Sequence, residues 1–183
     1  IFWVDPRQRG IIPLGGFRIS RSLGRKIRQE PFRITFDADF TGVVDGCADR
    51  PETWINAPIR DLYLALHKRG VAHSVEVWEG DQLVGGIYGV ALAGAFFGES
   101  MFSRRTDASK IALAYLIARL QNAGFVLFDT QFLTDHLKTL GGREIPRADY
   151  RRRLSDALVV KADFCAAPEP TAQDVRQLSI QTS

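Results

Sequence analysis

Asp129 and Gln131 stand two positions apart at the end of the run Phe125 to Thr130, which has strand character. In a strand that spacing puts both side chains on one face. Their neighbours Leu127 and Phe128 are apolar, so the pair is a polar interruption where a core strand ends. A carboxylate beside a primary amide can orient an amine, accept its proton and hydrogen-bond a reacting carbonyl. The same pattern fits two satisfied polar residues leaving the core. Glu99 follows Phe96 and Phe97 and precedes Ser100, Met101 and Phe102. An acid in that company can pair with a cationic ligand group at the rim of an apolar pocket, or sit in a loop facing water. Trp54, in a loop, reads either as a stacking platform for a base or as a core plug.

Other chemistries are set aside. His67, His73 and His136 show no metal-ligand spacing such as His-Glu-x-x-His, and the adjacent pair Asp135 and His136 diverges, so no metal is expected. Gly-x-Ser-x-Gly, Walker and strand-linked Gly-x-Gly-x-x-Gly signatures do not occur. Cys47 and Cys165 are too distant in sequence to suggest a disulfide framework, which fits a reducing cytoplasm.

These residues need a scaffold. From Ile19 to Glu30, Ile19, Leu23 and Ile27 recur every fourth position, predicting a helix with a narrow apolar face. Arg18, Arg21, Arg25 and Arg28 fall across the cylinder from it, as a solvated face or a phosphate-tracking stripe. Pro31 ends the helix; Phe32 to Phe36 reads as a strand and Phe40 to Ala48 as helical. Asn56 caps a helix with Pro58 in its first turn, Gly70 past its end, and Ile59, Leu62, Tyr63 and Leu66 on one face. A meander follows: Ser74 to Trp78, a turn at Gly80 and Asp81, then Leu83 to Leu92 and Ala95 to Gly98. Asp107 is expected to cap a helix through Ala123, apolar at Leu113, Leu116, Ile117 and Leu120 and stopped by Gly124. A short helix near Phe132 to Leu140, a Gly141–Gly142 turn and a polar helix opened by Pro146 complete an α+β pattern, helices on a mainly antiparallel sheet.

The chain has 183 residues, 45% hydrophobic and 25% charged, enough for one principal domain and unlike collagen, coiled coil or long disorder. Glycines interrupt the longest apolar stretch, Leu83 to Phe97, so a soluble chain with no membrane span is expected. The net charge of +3 conceals an asymmetry: residues 1–33 carry +6 and the remainder −3. A basic end on a nearly neutral body suggests an anionic partner.

Taken together, IxRSL at Ile19 to Leu23, GCADR at Gly46 to Arg50, TWI at Thr53 to Ile55, AHSVEVW at Ala72 to Trp78, LVGGIYGV at Leu83 to Val90, GESMFSR at Gly98 to Arg104 and DTQFLTDHLKTLGGREIPRADY from Asp129 resemble one family, in order and spacing. It is leucyl/phenylalanyl-tRNA–protein transferase. The likeness runs from about Trp3 to Leu158. It implies a bacterial cytoplasmic aminoacyltransferase that moves Leu or Phe from aminoacyl-tRNA to proteins beginning with Arg or Lys, making them substrates of N-end-rule degradation. It implies a GCN5-related acetyltransferase-like fold and a catalytic set of Asp129, Gln131 and Glu99. Trp54 is then expected to stack on the terminal adenosine, Ile87, Phe96 and Met101 to line the Leu/Phe pocket, and Tyr63 to stand beside it. The arginine stripe becomes a tRNA-binding face. The expected protein is a monomer without a cofactor.

The chemistry agrees with that reading. An aminoacyl ester is already activated, so attack by a neutral amine needs no ATP, metal or covalent enzyme intermediate. Positioning can supply roughly 7 to 11 kcal/mol at its upper end, and general-base help about a hundredfold to ten-thousandfold. One methylene is worth only about 1 to 3 kcal/mol in an apolar pocket, so rejecting Ile and Val must rest on excluding branching at Cβ.

Departures from the family pattern are expected to matter. Relatives normally carry a further N-terminal segment with a Gly-x-Phe-Pro-Trp-like stretch, and Trp3, Val4, Asp5, Pro6 differs from their double-tryptophan form. Residues 1–36 are accordingly read as the remainder of a truncated N-terminal domain, 37–160 as the catalytic domain and 161–183 as a mobile tail. A CoA-dependent N-acetyltransferase is the rival on the same architecture. Arg104 to Ser109 lacks the glycines of a pyrophosphate loop, and Asp107 would repel the ligand. A noncatalytic RNA-binding module is the other alternative.

Overall fold

Seven strands form a single sheet in the order β2-β3-β4-β5-β6-β1-β7, and the computed structural model describes residues 5–29 and 31–178. Trp3 and Glu30 lie outside the described residues. The strands are β1 (Gln8–Ile11), β2 (Arg33–Phe36), β3 (Ala72–Glu79), β4 (Gln82–Leu92), β5 (Ala95–Ser103), β6 (Leu127–Gln131) and β7 (Arg143–Pro146). All neighbours are antiparallel except β5 and β6. The helices are α1 (Arg21–Gln29), α2 (Phe40–Ala48), α3 (Ala57–Lys68), α4 (Ala108–Asn122), α5 (Asp135–Thr139), α6 (Arg147–Ala157) and α7 (Ala172–Gln177). This is the α+β arrangement expected.

The parallel β5–β6 pair requires a crossover, and α4 is that crossover. Its run from Ile111 to Leu120 is buried all round, more than the single apolar face its periodicity predicts, because the sheet lies beneath it and α1 and α7 pack beside it. Leu23 and Ile27 of α1, Val75, Ile87, Phe96 and Phe128 of the sheet, and Val175 join that core. The opposite sheet face is covered in two parts. Phe40, Val43 and Cys47 of α2 meet Tyr88, while Ile11, Leu127, Ile145 and Tyr150 gather under α6. Close packing on both faces needs glycine in β4: a Cβ on Gly85 would sit 2.6 Å from Ala108 Cβ, and one on Gly86 2.9 Å from Val43 Cγ2.

Several expectations need correction. The first helix starts at Arg21, leaving Arg18 and Ile19 in the approach to it. Asn56 does cap α3 through Ile59 N–H at 3.1 Å. Asp107 does not cap α4; with φ +66 it turns its carboxylate to Lys110 Nζ, 2.8 Å away. Leu62 of α3 remains half exposed, so the expected apolar face is only partly buried. β1 and β2, which come from residues 1–36, lie in the same sheet as the strands that follow. The expected mobile tail is folded over its described part. Phe164, Val175 and Leu178 are buried, and Thr171 and Asp174 form a reciprocal cap for α7.

Candidate functional site

The β5–β6 ladder is short. It pairs Ala95 with Leu127, Phe96 with Phe128 and Phe97 with Asp129, and there it stops, although β5 continues to Ser103. On its other edge β6 remains tied to β1, with Ile11 opposite Asp129 and Gly10 opposite Gln131. The two parallel strands therefore part just beyond Asp129. At the same level β5 slips against β4: Gly98 faces Gly89 but Ser100 faces Tyr88, leaving Glu99 as the extra residue of a bulge. A bulge bends its strand and re-aims the residue it leaves unpaired. Glu99 is thus a strand residue, turned toward α3 and β6.

Glu99 Oε2 accepts a hydrogen bond from Gln131 Nε2 at 3.1 Å across the split. Tyr63 of α3 donates a second bond to the Glu99 carboxylate. Burial raises the Glu99 pKa above the ordinary carboxylate range; bonds from Tyr63 and Gln131 oppose the rise, and nearby Asp129 adds to it. Burial and Glu99 together push the Tyr63 phenol well above its usual value, so Tyr63 remains a donor. Trp54, 47% exposed, packs edge-on against Tyr63 at 6.2 Å, and Tyr63 against Tyr88 at 5.0 Å.

Asp129 is fully buried and fully occupied. Arg9 holds it through Nε to Oδ1 at 3.0 Å and Nη2 to Oδ2 at 2.7 Å; Tyr150 O–H donates to Oδ2 at 2.6 Å; Gln131 N–H donates to Oδ1 at 2.7 Å. The guanidinium also lies over the Tyr150 ring, 5.1 Å from its centre. Burial works against the Arg9 cation, but its contacts with Asp129 outweigh that and raise its pKa. Gln131 has φ +62, a region sparsely used by residues other than glycine. The Asp129 bond to its N–H holds that turn, which aims the amide at Glu99 rather than leaving both side chains parallel. Asp129 and Gln131 are adjacent at the split but have different partners.

The structure therefore joins Trp54, Tyr63, Glu99, Gln131 and Asp129 in one row of contacts. It adds Arg9 and Tyr150, which sequence reading does not single out. Tyr150 closes the long motif that begins at Asp129, a signal that could have found it; Arg9 sits on a four-residue strand and gives none. Arg50 also approaches the bulge, donating from Nη2 to Ser100 Oγ at 2.5 Å. Ile87, Phe96 and Met101 belong to the core beneath α4. Ile87 and Met101 are cross-strand partners, Met101 is partly buried, and Phe96 is enclosed by Phe125, Phe128 and Phe164. Arg18, Arg21, Arg25 and Arg28 are exposed and make no ion pair among the described residues. None of them touches the polar row.

A mixed sheet that opens between two parallel strands, with a carboxylate and an amide bridging the gap, defines an α+β protein with a polar cleft at a strand split. In fold it is similar to the structure of L-PGS from Bacillus licheniformis, with TM-score 0.51 and 14% identity over 70% of this chain and 48% of that one. Residues 11–155 match the profile described as leucyl/phenylalanyl-tRNA protein transferase. Proteins of that name from Ruegeria pomeroyi and Ruegeria sp. are 62% and 61% identical over the whole of this chain and 87% of theirs. The chain belongs to the leucyl/phenylalanyl-tRNA–protein transferase family and is an aminoacyltransferase acting on proteins. No described helix is long and apolar enough to cross a membrane.

Proposed function

We propose that this enzyme transfers Leu or Phe from aminoacyl-tRNA to the N-terminal Arg or Lys of acceptor proteins in the cytoplasm, marking them for N-end-rule degradation, and that it works as a monomer. The observation that carries the reading is the bridge from Glu99 to Gln131 across the β5–β6 split, backed by the saturated Asp129. We read the split, the bulge and the crossover helix as a GCN5-related acetyltransferase-like arrangement with the pantetheine chemistry absent. The latter point has support at the start of α4, where Ala108 N–H bonds Arg105 O at 3.0 Å and Ser109 N–H bonds Ser103 Oγ at 3.2 Å. Those donors are not free to receive a pyrophosphate.

The roles divide by environment. Asp129, with its oxygens committed to Arg9, Tyr150 and the Gln131 backbone, acts by holding Gln131 in place. Gln131 orients the reacting groups through its amide. Glu99, whose pKa burial raises, is the proton acceptor: the α-amino nitrogen attacks the ester carbonyl, the C–N bond forms, and the bond between the acyl carbon and the ribose oxygen breaks. The proton given up by nitrogen passes to Glu99 and leaves with the ribose oxygen. Trp54 stacks on the terminal adenine, with Tyr63 packed behind it. The donor side chain passes into the β5–β6 split, where Met101, the partly buried member of the apolar set, meets it from the α4 side, with Ile87 and Phe96 behind. Arg18, Arg21, Arg25 and Arg28 contact acceptor-stem phosphates.

The test supplies labelled Phe-tRNA and a peptide beginning with Arg, without ATP or added metal. Label should enter the peptide, and not one beginning with Asp. Equal labelling of both peptides would remove the acceptor assignment; labelling of neither would remove the function.

A further inference from the structure

Asp37, His73 and Cys165 come from three separate stretches: the turn after β2, strand β3, and the segment between α6 and α7. One ligand-type atom from each lies within 4.8 Å of the other two. Asp37 Oδ2 is 2.7 Å from His73 Nδ1, and Asp37 Oδ1 accepts Ser74 N–H at 2.8 Å. The Asp37 backbone has φ +56, a conformation that short polar residues tolerate, and it turns the carboxylate back toward β3. The His73 side chain is only 5% exposed and stacks on Phe164 at 4.3 Å. Asp163 Oδ1 accepts the Cys165 N–H at 2.9 Å, fixing the turn that presents the thiol. His73, Asp163, Phe164 and Cys165 also line a cavity of about 300 Å³.

We propose that this cluster binds one divalent transition-metal ion of the zinc class, with Asp37, His73 and Cys165 as ligands and the fourth position open to the cavity. A thiolate, an imidazole and a carboxylate suit zinc and disfavour magnesium or calcium, which take oxygen ligands. With metal bonds of about 2.0 Å to nitrogen or oxygen and about 2.3 Å to sulfur, tetrahedral co-ligands lie roughly 3.3 to 3.6 Å apart. The trio is already within reach of that spacing, and the exposed Cys165 side chain has room to rotate. Binding forms the metal–sulfur bond and releases the thiol proton to water. Three ligands with an open position resemble reactive zinc sites, but the polar row at the β5–β6 split uses none of these groups. The ion's effect is instead to clip the segment before α7 onto the β2–β3 edge.

The 183-residue chain, stripped with chelator, is titrated with Co²⁺ and then Zn²⁺. One equivalent of Co²⁺ should give a thiolate-to-cobalt charge-transfer band that Zn²⁺ abolishes. Cys165→Ser, at an exposed position and expected to fold, should lose the band, and Asp37→Asn should weaken zinc binding about tenfold or more. Zinc should raise the melting temperature of the parent but not of Cys165→Ser. A missing band at saturating Co²⁺, or a band that survives in Cys165→Ser, overturns the proposal. Neither outcome bears on aminoacyl transfer, which is assayed without metal.

Discussion

Glu99 and Asp129 are both carboxylates at one strand split, and their surroundings separate their tasks. Asp129 is enclosed by donors from Arg9, Tyr150 and Gln131, while Glu99 keeps a raised pKa in spite of two bonds from Tyr63 and Gln131. A base must be deprotonated to act, so the transfer rate should rise with pH through the raised Glu99 value, above the ordinary glutamate value of about 4.3. Glu99→Gln should lower kcat by about a hundredfold to ten-thousandfold and remove that limb from the pH–rate profile, with KM for the aminoacyl-tRNA little changed. A limb identical in parent and variant would assign the proton elsewhere. Asp129 is tested through its donors. Tyr150→Phe removes one bond to a buried carboxylate and should cost about 1 to 3 kcal/mol. Arg9→Ala, which leaves the charge unpaired, should cost more, about 3 to 5 kcal/mol. Urea midpoints give both, and the reverse ranking would contradict the ion pair as organiser. The sequence shows Asp129, Gln131 and Glu99 because each interrupts an apolar run. It does not show Arg9, whose partner is 120 residues away.

At the scale of elements, legibility follows length and self-sufficiency. Helix α3 is readable because its cap, first-turn proline and terminal glycine are local, whereas β1 and β7, of four residues each, are too short to display alternation. The bulge at Glu99 is invisible in sequence, since a bulge exists only relative to the strand beside it. The segment 161–178 misleads for a further reason: its polar composition hides a few apolar anchors. Phe164 is 2% exposed, stacks on His73 and Phe96, and lends its carbonyl to Arg119 Nε at 2.8 Å. Phe164→Ala should therefore destabilise the protein by about 3 to 5 kcal/mol, as for a core aromatic. A change below about 0.5 kcal/mol by urea denaturation, typical of surface sites, would show the segment to be undocked in solution.

At the scale of the molecule, the polar row and the arginine helix belong to different sides of the sheet. Glu99 turns toward α3, and Asp129 toward α6, whereas α1 packs with α4 and α7 over the other face. A substrate using both must be long and anionic, reaching round the molecule, which an aminoacylated acceptor stem can do and a short peptide cannot. The two surfaces should then separate kinetically. Replacing Arg21, Arg25 and Arg28 by Gln removes cations that face solvent and support no packing, since α1 is anchored by Leu23 and Ile27 on its opposite side. Each arginine–phosphate pairing removed should lower the slope of log affinity against log salt by about 1 and weaken binding of all tRNA sequences alike. At saturating aminoacyl-tRNA, kcat should stay within about twofold of the parent, because binding that is equal in ground and transition states affects KM and not kcat. If the triple variant instead keeps its salt slope, the stripe is only a solvated helix face, and the phosphates must be met by other cations, such as Arg50 beside the bulge.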